Sequence, residues 1–340
     1  MQQLKHLGAF TADSRDTINS NFAGLGIGNA GRIMYLEPVA GLDASAEPDN
    51  PDKPYRTLAA AYAACVAGKN DVVRLVSNGA STSTARVDTA FTWAKNATHL
   101  IGDTAPVRYG QRARIAPTTT TVGAAGNKDY MTVSASGCVF QNVQIWAGFA
   151  TGIAATIALA VSGSRNLFKR MQVAGHADAA SAQDTASASL ALSGSENLFE
   201  QCVFGTDTVL RTVLNSTVLF SGGAARNHFD DCTFAMWTSA TTALHLQVRA
   251  ANANGADRET VFNKCRFLNA LNITSAVTLA AVCKSIASGI NGYFLMQDCV
   301  RVATDWGTDS TSLALIQVCG PGTGGTAGDD VGRATAAVAS

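Results

Sequence analysis

The stretch Asn197–Phe204, NLFEQCVF, recurs down the chain and decides the fold. Its copies are Cys138–Ile145 (CVFQNVQI), Asn166–Val173 (NLFKRMQV), Asn227–Phe234 (NHFDDCTF) and Thr260–Phe267 (TVFNKCRF), with a weaker one at Phe294–Arg301 (FLMQDCVR). Each has a large apolar anchor, two polar residues, then Cys, Met or Val, and one position later usually Phe, Ile or Val. The anchors Phe140, Phe168, Phe199, Phe229, Phe262 and Met296 follow one another, by subtraction of their numbers, at spacings of 28, 31, 30, 33 and 34 residues. Self-similarity at a period near 30 residues is the mark of a repeat architecture.

A second strand pattern precedes most copies: Tyr130–Ser134, Ile157–Val161, Ser189–Leu192, Thr217–Phe220, Leu244–Val248 and Val277–Ala281, with Leu313–Val318 closing the array. These runs of four to six residues alternate or are continuously apolar, as strands do. Between the two patterns lie SGSRN (162–166), SGSEN (193–197) and GGAARN (222–227), and Asn tolerates the left-handed backbone of a tight corner. Short strands, sharp corners and no helical periodicity predict an all-β chain, a right-handed parallel β-helix. Equivalent residues then stack about 4.8 Å apart. The anchors form one internal stack; Cys202, Cys232, Cys265 and Cys299, with Val143 and Met171, form another; and Asn166, Asn197 and Asn227 form a corner ladder.

The ends depart from the repeat. Residues 1–31 read as an anchoring segment, with a short helix over Asp13–Leu25 and a glycine-rich hinge. Residues 32–127 read as an entry and cap region with a strand at Arg32–Glu37, a helix over Thr57–Ala67 and a strand at Asp71–Val76. Coils occupy 128–319, and 320–340 reads as a flexible arm.

Composition excludes several classes. The 340 residues carry 25 basic and 25 acidic side chains, which argues against a nucleic-acid binder held by phosphate contacts. With 47% apolar residues the chain is not disordered as a whole, and it shows neither a signal peptide nor an apolar run long enough to span a membrane. Its eight cysteines stand singly, with no C-x-x-C pair.

Several motifs could carry chemistry. Gly26–Gly31 satisfies G-x-G-x-x-G, but it follows a helix and precedes a strand, the reverse of a dinucleotide site. Glu200 and Asp230 fall at equivalent positions on consecutive coils, with Asp231 beside Asp230, a spacing that suits a glycosidase pair. Yet the columns Lys169, Glu200, Asp230, Asn263, Gln297 and Arg170, Gln201, Asp231, Lys264, Asp298 mix charges as a solvated ladder does. They are read as that ladder. His6, His99, His176, His228 and His245 share no phase, and the loop holding His176, Asp178 and Asp184 reads as a bare surface loop. Trp146 and Trp237 are placed where loops leave the coil, suited to a sugar or to a subunit interface; the other tryptophans are Trp93 and Trp306. No catalytic, cofactor-binding or metal-binding residue is assigned, and no cofactor is expected.

The entry run GRIMYLEPVAGLDASAEPDNPDKPYRTLAAAYAACVAGKNDVVRLVSNG is similar to a segment that leads into many right-handed β-helices, through Tyr35, Pro38, Gly41, Asp43, Pro54, Tyr55, Thr57, Ala61, Gly68, Val72 and Gly79. Asp13–Leu25 (DSRDTINSNFAGL) resembles the N-terminal segment of bacteriophage virion proteins. Together with the coils, the resemblance to phage β-helix virion proteins spans nearly the whole chain. It implies a structural protein on the virion surface, assembled in the host cytoplasm. Capsid decoration is expected: a non-enzymatic homotrimer cementing the major capsid protein, with the N-terminal helix and C-terminal arm as grips. The alternative is a tailspike or fibre that recognises, and cleaves, a host surface glycan. No nucleic-acid or membrane partner is expected.

Overall fold

A computed structural model describes residues 31–105, 107–118, 129–148, 157–249, 255–270, 277–285, 291–304, 306 and 316–319. The Asp13–Leu25 helix, most of the glycine-rich hinge and the arm after Cys319 lie outside the described residues.

One coil shows the rule for all. Ala188–Leu192 runs into Leu198–Glu200, the chain turns into Val203–Arg211, and it then returns to Ser216–Phe220 one rung on. Corresponding strands pair in parallel to form three sheets along the solenoid axis, here called A (11 strands), B (8 strands) and C (7 strands). Leu198–Glu200 belongs to A, Val203–Arg211 to B and Ala188–Leu192 to C. The chain is thus the expected parallel β-helix.

Each coil has three strands where the sequence pattern suggested two. The eight-residue copies are not single strands: each breaks at one residue with positive φ, such as Gln201 (φ 55), Asp231 (φ 48) or Lys264 (φ 52). That left-handed residue turns the chain sharply from sheet A to sheet B, so both the anchor before it and the Phe after it point inward. The anchors pair in register, Phe140 with Phe168, Phe168 with Phe199, Phe199 with Phe229 and Phe229 with Phe262. Their rings stack face to face at 4.9, 4.7, 4.5 and 4.8 Å. A second stack, Phe204, Phe234 and Phe267, runs down sheet B at 5.4 and 4.7 Å. Such pairs are worth about 0.5–1.5 kcal/mol each beyond the area they bury.

In the cysteine column Cys202, Cys232 and Cys265 are buried and Cys299 is half-buried, all as free thiols. Its thiols donate to the anchor carbonyl of the preceding coil: Cys202 to Phe168, Cys232 to Phe199 and Cys265 to Phe229, at 3.3, 3.3 and 3.4 Å. The asparagine ladder is equally regular. Asn166, Asn197 and Asn227 each accept through Oδ1 from a backbone N–H of the preceding coil, at Cys138, Asn166 and Asn197. Their Nδ2 groups donate to the carbonyls of Ala135, Gly163 and Gly194.

The entry block closes the N-terminal end. Helix α1 covers Leu58–Ala64 and stops short of the expected Ala67. Lys95 Nζ ends it, donating to the carbonyls of Tyr62, Ala63 and Cys65, where a cation opposes the helix dipole. Asp43 accepts from the N–H groups of Arg56 and Thr57 and from the Thr57 hydroxyl, while Thr57 caps α1 through the Ala60 N–H. Gly41 is required there, because a Cβ would come within 2.3 Å of the Tyr55 carbonyl oxygen. Trp93, fully buried, packs its ring between Tyr62 of α1 and Phe140, joining the cap to the ring stack.

Candidate functional site

The outer face of sheet B, at its N-terminal end, carries arginine, glutamine and tryptophan side chains on neighbouring strands. Here Ala85–Arg86, Arg114–Ala116, Gln144–Trp146 and Gln172–Ala174 lie side by side. Ile115, Ile145 and Val173 point into the core, so alternation sends Arg114, Gln144 and Gln172 outward in one column. Arg86, Ala116, Trp146 and Ala174 form a second outward column, in which the small Ala116 separates Arg86 from Trp146.

Local contacts hold these groups in place. The Arg114 guanidinium lies 5.9 Å from the Trp146 ring centroid and donates through Nε to Gln144 Oε1. Gln144 donates in turn to Gln172 Oε1 at 2.8 Å. Arg86 is tied to the Pro117 carbonyl. Burial, with the charges of Arg112 and Arg86 behind it, pulls Arg114 below the usual guanidinium range. Three cations crowded on one face of a chain with zero net charge make a locally positive surface. Trp146 is half-buried, and Gly148 leaves it room: a Cβ there would come within 2.2 Å of the indole Nε1.

A strap over residues 104–113 crosses the edge between sheets A and B. Gly110 donates to Gln172 Oε1, Gln111 to the Arg170 carbonyl, and Arg108 to the Asp231 carboxylate and carbonyl. The strap therefore leaves the coil of Arg114 and reaches the coil of Asp231, with Val107 and Tyr109 exposed and Tyr109 near Asp207, Arg108 and Arg266.

The candidate carboxylates are aligned as expected but engaged. Glu200 pairs with Lys169 at 2.7 Å, and Asp230 accepts from Asn263 Nδ2 at 2.6 Å. Asp231 stands on the left-handed corner, bridged by Arg266 at 2.8 Å and by Arg108. Burial would raise its carboxyl, yet the hydrogen bonds from Arg266 and Arg108 hold it below the usual carboxylate range. A general acid needs the opposite shift, so Asp231 suits a structural bridge.

Two other sequence readings change. The loop after His176 is not bare surface: His176 is buried, and Asp178 caps the short helix α2, Ala179–Ala182. Trp146 and Trp237 lie within sheet B strands, not in departing loops. His99 is buried and pushed down to about 4 by desolvation. Its Nδ1 accepts from the Val139 N–H and its Nε2 faces Asn70 Oδ1, the tautomer of a structural corner group. His228 is exposed, and His245 is buried inside the solenoid. The arginine face was missed from sequence because Arg86, Arg112 and Arg114 precede the recurring copies, where no in-phase column exists to align them.

No protein family model matches the chain, and no curated protein matches it in sequence. Solved structures do. A pectin methylesterase from carrot aligns at 14% identity over 85% of this chain and 81% of its own, with a TM-score of 0.51. A pectin methylesterase from Aspergillus niger aligns at 15% identity over 76% of this chain and 88% of its own, with a TM-score of 0.49. The likeness establishes the fold, and at this identity no residue role passes from one chain to the other. It also corrects the expectation of a non-enzymatic protein: the carrot chain of this shape is a pectin methylesterase, so the architecture gives no ground for excluding catalysis.

Proposed function

We propose that this protein is a phage virion β-helix that recognises an acidic host-surface polysaccharide along the outer face of sheet B, in the manner of a tailspike. One observation carries the reading: the rigid platform of Trp146 and Arg114, flanked by Arg86 and Arg112. A sugar ring stacks on an indole, and arginine matches a carboxylate in two-pronged geometry. Strands hold Arg86, Arg114 and Trp146, so little ordering of these three is needed on binding. The phage assignment is supported by the resemblance of Asp13–Leu25 and of the entry segment. The protein would act as a homotrimer on the virion surface, after assembly in the host cytoplasm.

Titration with a polyuronate and with a neutral glucan tests the reading. The polyuronate should bind, more weakly as salt rises, and Trp146→Ala should weaken it by about tenfold or more, the scale of about 1.4 kcal/mol, without changing the melting temperature. Equal retention of both polymers, or an unaffected Trp146→Ala, would sink it. Release of short oligosaccharides in the same mixtures would add cleavage to recognition.

Capsid decoration is the second reading, favoured by a patch of small and apolar residues outside the main core on sheet C. The uncharged Ala160 and Ala191 are half-buried there, over Ile157, Ala188 and Leu219, which are themselves buried. Such a face suits a neighbouring shell protein. Copies per major capsid protein in purified particles separate the two: near parity means decoration, and a few copies in multiples of three mean the tail.

A further inference from the structure

The interior of the solenoid is not uniformly apolar. At the corner between sheets B and C, Ser189, Thr217 and His245 occupy the same position on consecutive coils, each one residue before the paired Leu190, Val218 and Leu246. Arg211 enters the same region from the end of a sheet B strand and donates to Thr217 Oγ1 at 3.1 Å and to the Ala235 carbonyl at 3.4 Å. Gly205 (φ 90) makes way for it: a Cβ there would come within 2.1 Å of the Ala235 oxygen and 3.1 Å of Arg211 Nη2. His176 follows Gly175, whose backbone sits against Ser189, since a Cβ on Gly175 would lie 2.9 Å from Ser189 Oγ. Arg211, Ser189, Thr217, His176 and His245 are each at most 1% exposed.

This group is rich in buried polar atoms that lack a partner. Arg211 Nε, Ser189 Oγ and both ring nitrogens of His245 make no hydrogen bond, and His176 reaches only the Ser187 backbone. Buried polar atoms are almost always paired, so these neighbouring unpaired atoms call for an occupant. Burial lowers Arg211 only to about 9, so it remains a cation at neutral pH, and no carboxylate acts on it. Burial and the Arg211 charge push both imidazoles down, His245 to about 3, so each is neutral and offers one N–H. A buried cation without a counter-charge is costly. What complements one guanidinium and several neutral donors is a single negative charge. The sealed site limits that charge to a small ion, taken up as the coils close.

We propose that the cluster of Arg211, Ser189 and His245, with His176 beside it, is an enclosed binding site for one halide-sized monovalent anion, chloride under ordinary conditions, held by Arg211 Nε–H with the Ser189 hydroxyl and the His245 N–H. The anion does for this stretch of the solenoid what a buried carboxylate does elsewhere, and its binding is linked to folding.

The test uses the full chain, unfolded and refolded in sodium bromide and then crystallised. Anomalous scattering should place one bromide inside the solenoid, within hydrogen-bonding distance of Arg211 Nε. Bromide on the surface alone, or water at the cluster, would overturn the proposal. In solution at fixed ionic strength, fluoride is replaced stepwise by bromide. The unfolding equilibrium constant should then fall about tenfold for each tenfold rise in bromide above its Kd. Arg211→Met, which keeps much of the side-chain volume, should lose that dependence; its persistence would equally refute the site. Should that variant fail to fold, the anomalous map of the native sequence decides alone.

Discussion

At Asn197 a single amide serves three coils. Its Oδ1 accepts from the Asn166 N–H at 3.0 Å, its Nδ2 donates to the Gly163 carbonyl at 3.1 Å, and its own N–H is received by Asn227 Oδ1 at 3.0 Å. All three asparagines of the ladder are buried, so water cannot replace a lost partner. Asn197→Ala should therefore leave a buried N–H and a buried C=O unmet, at about 1–3 kcal/mol each. Urea titration should show a stability lower by about 2–6 kcal/mol for the two groups together, with an unchanged slope; a loss under about 0.5 kcal/mol, the size of an ordinary surface change, would mean that the corner relaxes. This ladder was visible in the sequence because Asn166, Asn197 and Asn227 recur in phase with the anchors. The arginine face was not, because the contact of Arg114 with Trp146 joins two neighbouring strands that share only their inward isoleucine. The donors around Arg211 were hidden for a related reason: Ser189, Thr217 and His245 share a column without sharing a residue type.

At the scale of elements, strands were readable and corners were not. Inward positions at Phe199 and Phe204 are five apart, which an unbroken strand with a period of two would send to opposite faces. The left-handed residue between them restores both to the core, and it is of a different type on nearly every coil: Asn142, Arg170, Gln201, Asp231, Lys264 and Asp298. No compositional signal marks such a corner, so two strands were read as one. In the cap the logic is local and legible: the Pro-Tyr-x-Thr start of α1 works because Asp43 receives the Arg56 and Thr57 N–H groups and the Thr57 hydroxyl. Burial opposes the charge on Asp43, but those hydrogen bonds outweigh it and lower the carboxyl below its ordinary 3.8. A lowered folded value means that the stabilisation is present above pH 3.8 and is lost as pH falls through the lower folded value. Asp43→Asn should flatten the acid limb of the stability curve there; a native-like limb in that variant would show that Asp43 contributes nothing. At the other end of α1, Lys95→Met removes a charged donor from three carbonyls. It should cost about 1–3 kcal/mol, read by thermal unfolding, with Lys95→Arg recovering part.

Across the whole molecule, the three sheets make the solenoid a stack in which each coil touches mainly the coils beside it. Stability is then close to a sum of coil terms and nearest-neighbour terms. Phe229 sits at a junction dense in ring contacts: it stacks on Phe199 at 4.5 Å and Phe262 at 4.8 Å, and meets Phe204, Phe220 and Phe234 within 6.3 Å. It therefore couples the coils on its N-terminal side, which are anchored by Trp93 and the cap, to those on its C-terminal side. Phe229→Ala should cost about 3–5 kcal/mol, as large cavities in cores do. In a globular core that loss would be shared by every residue that unfolds with it. In a stack it should fall unevenly. Amide exchange is expected to accelerate most at His228–Asp230 and the adjoining Leu198–Glu200 and Ala256–Asn263, and to leave Leu58–Ala64 nearly unchanged. Uniform acceleration from the cap to the last coil would mean that the solenoid unfolds as one unit, and that the cap's contacts through Trp93 reach further than one coil.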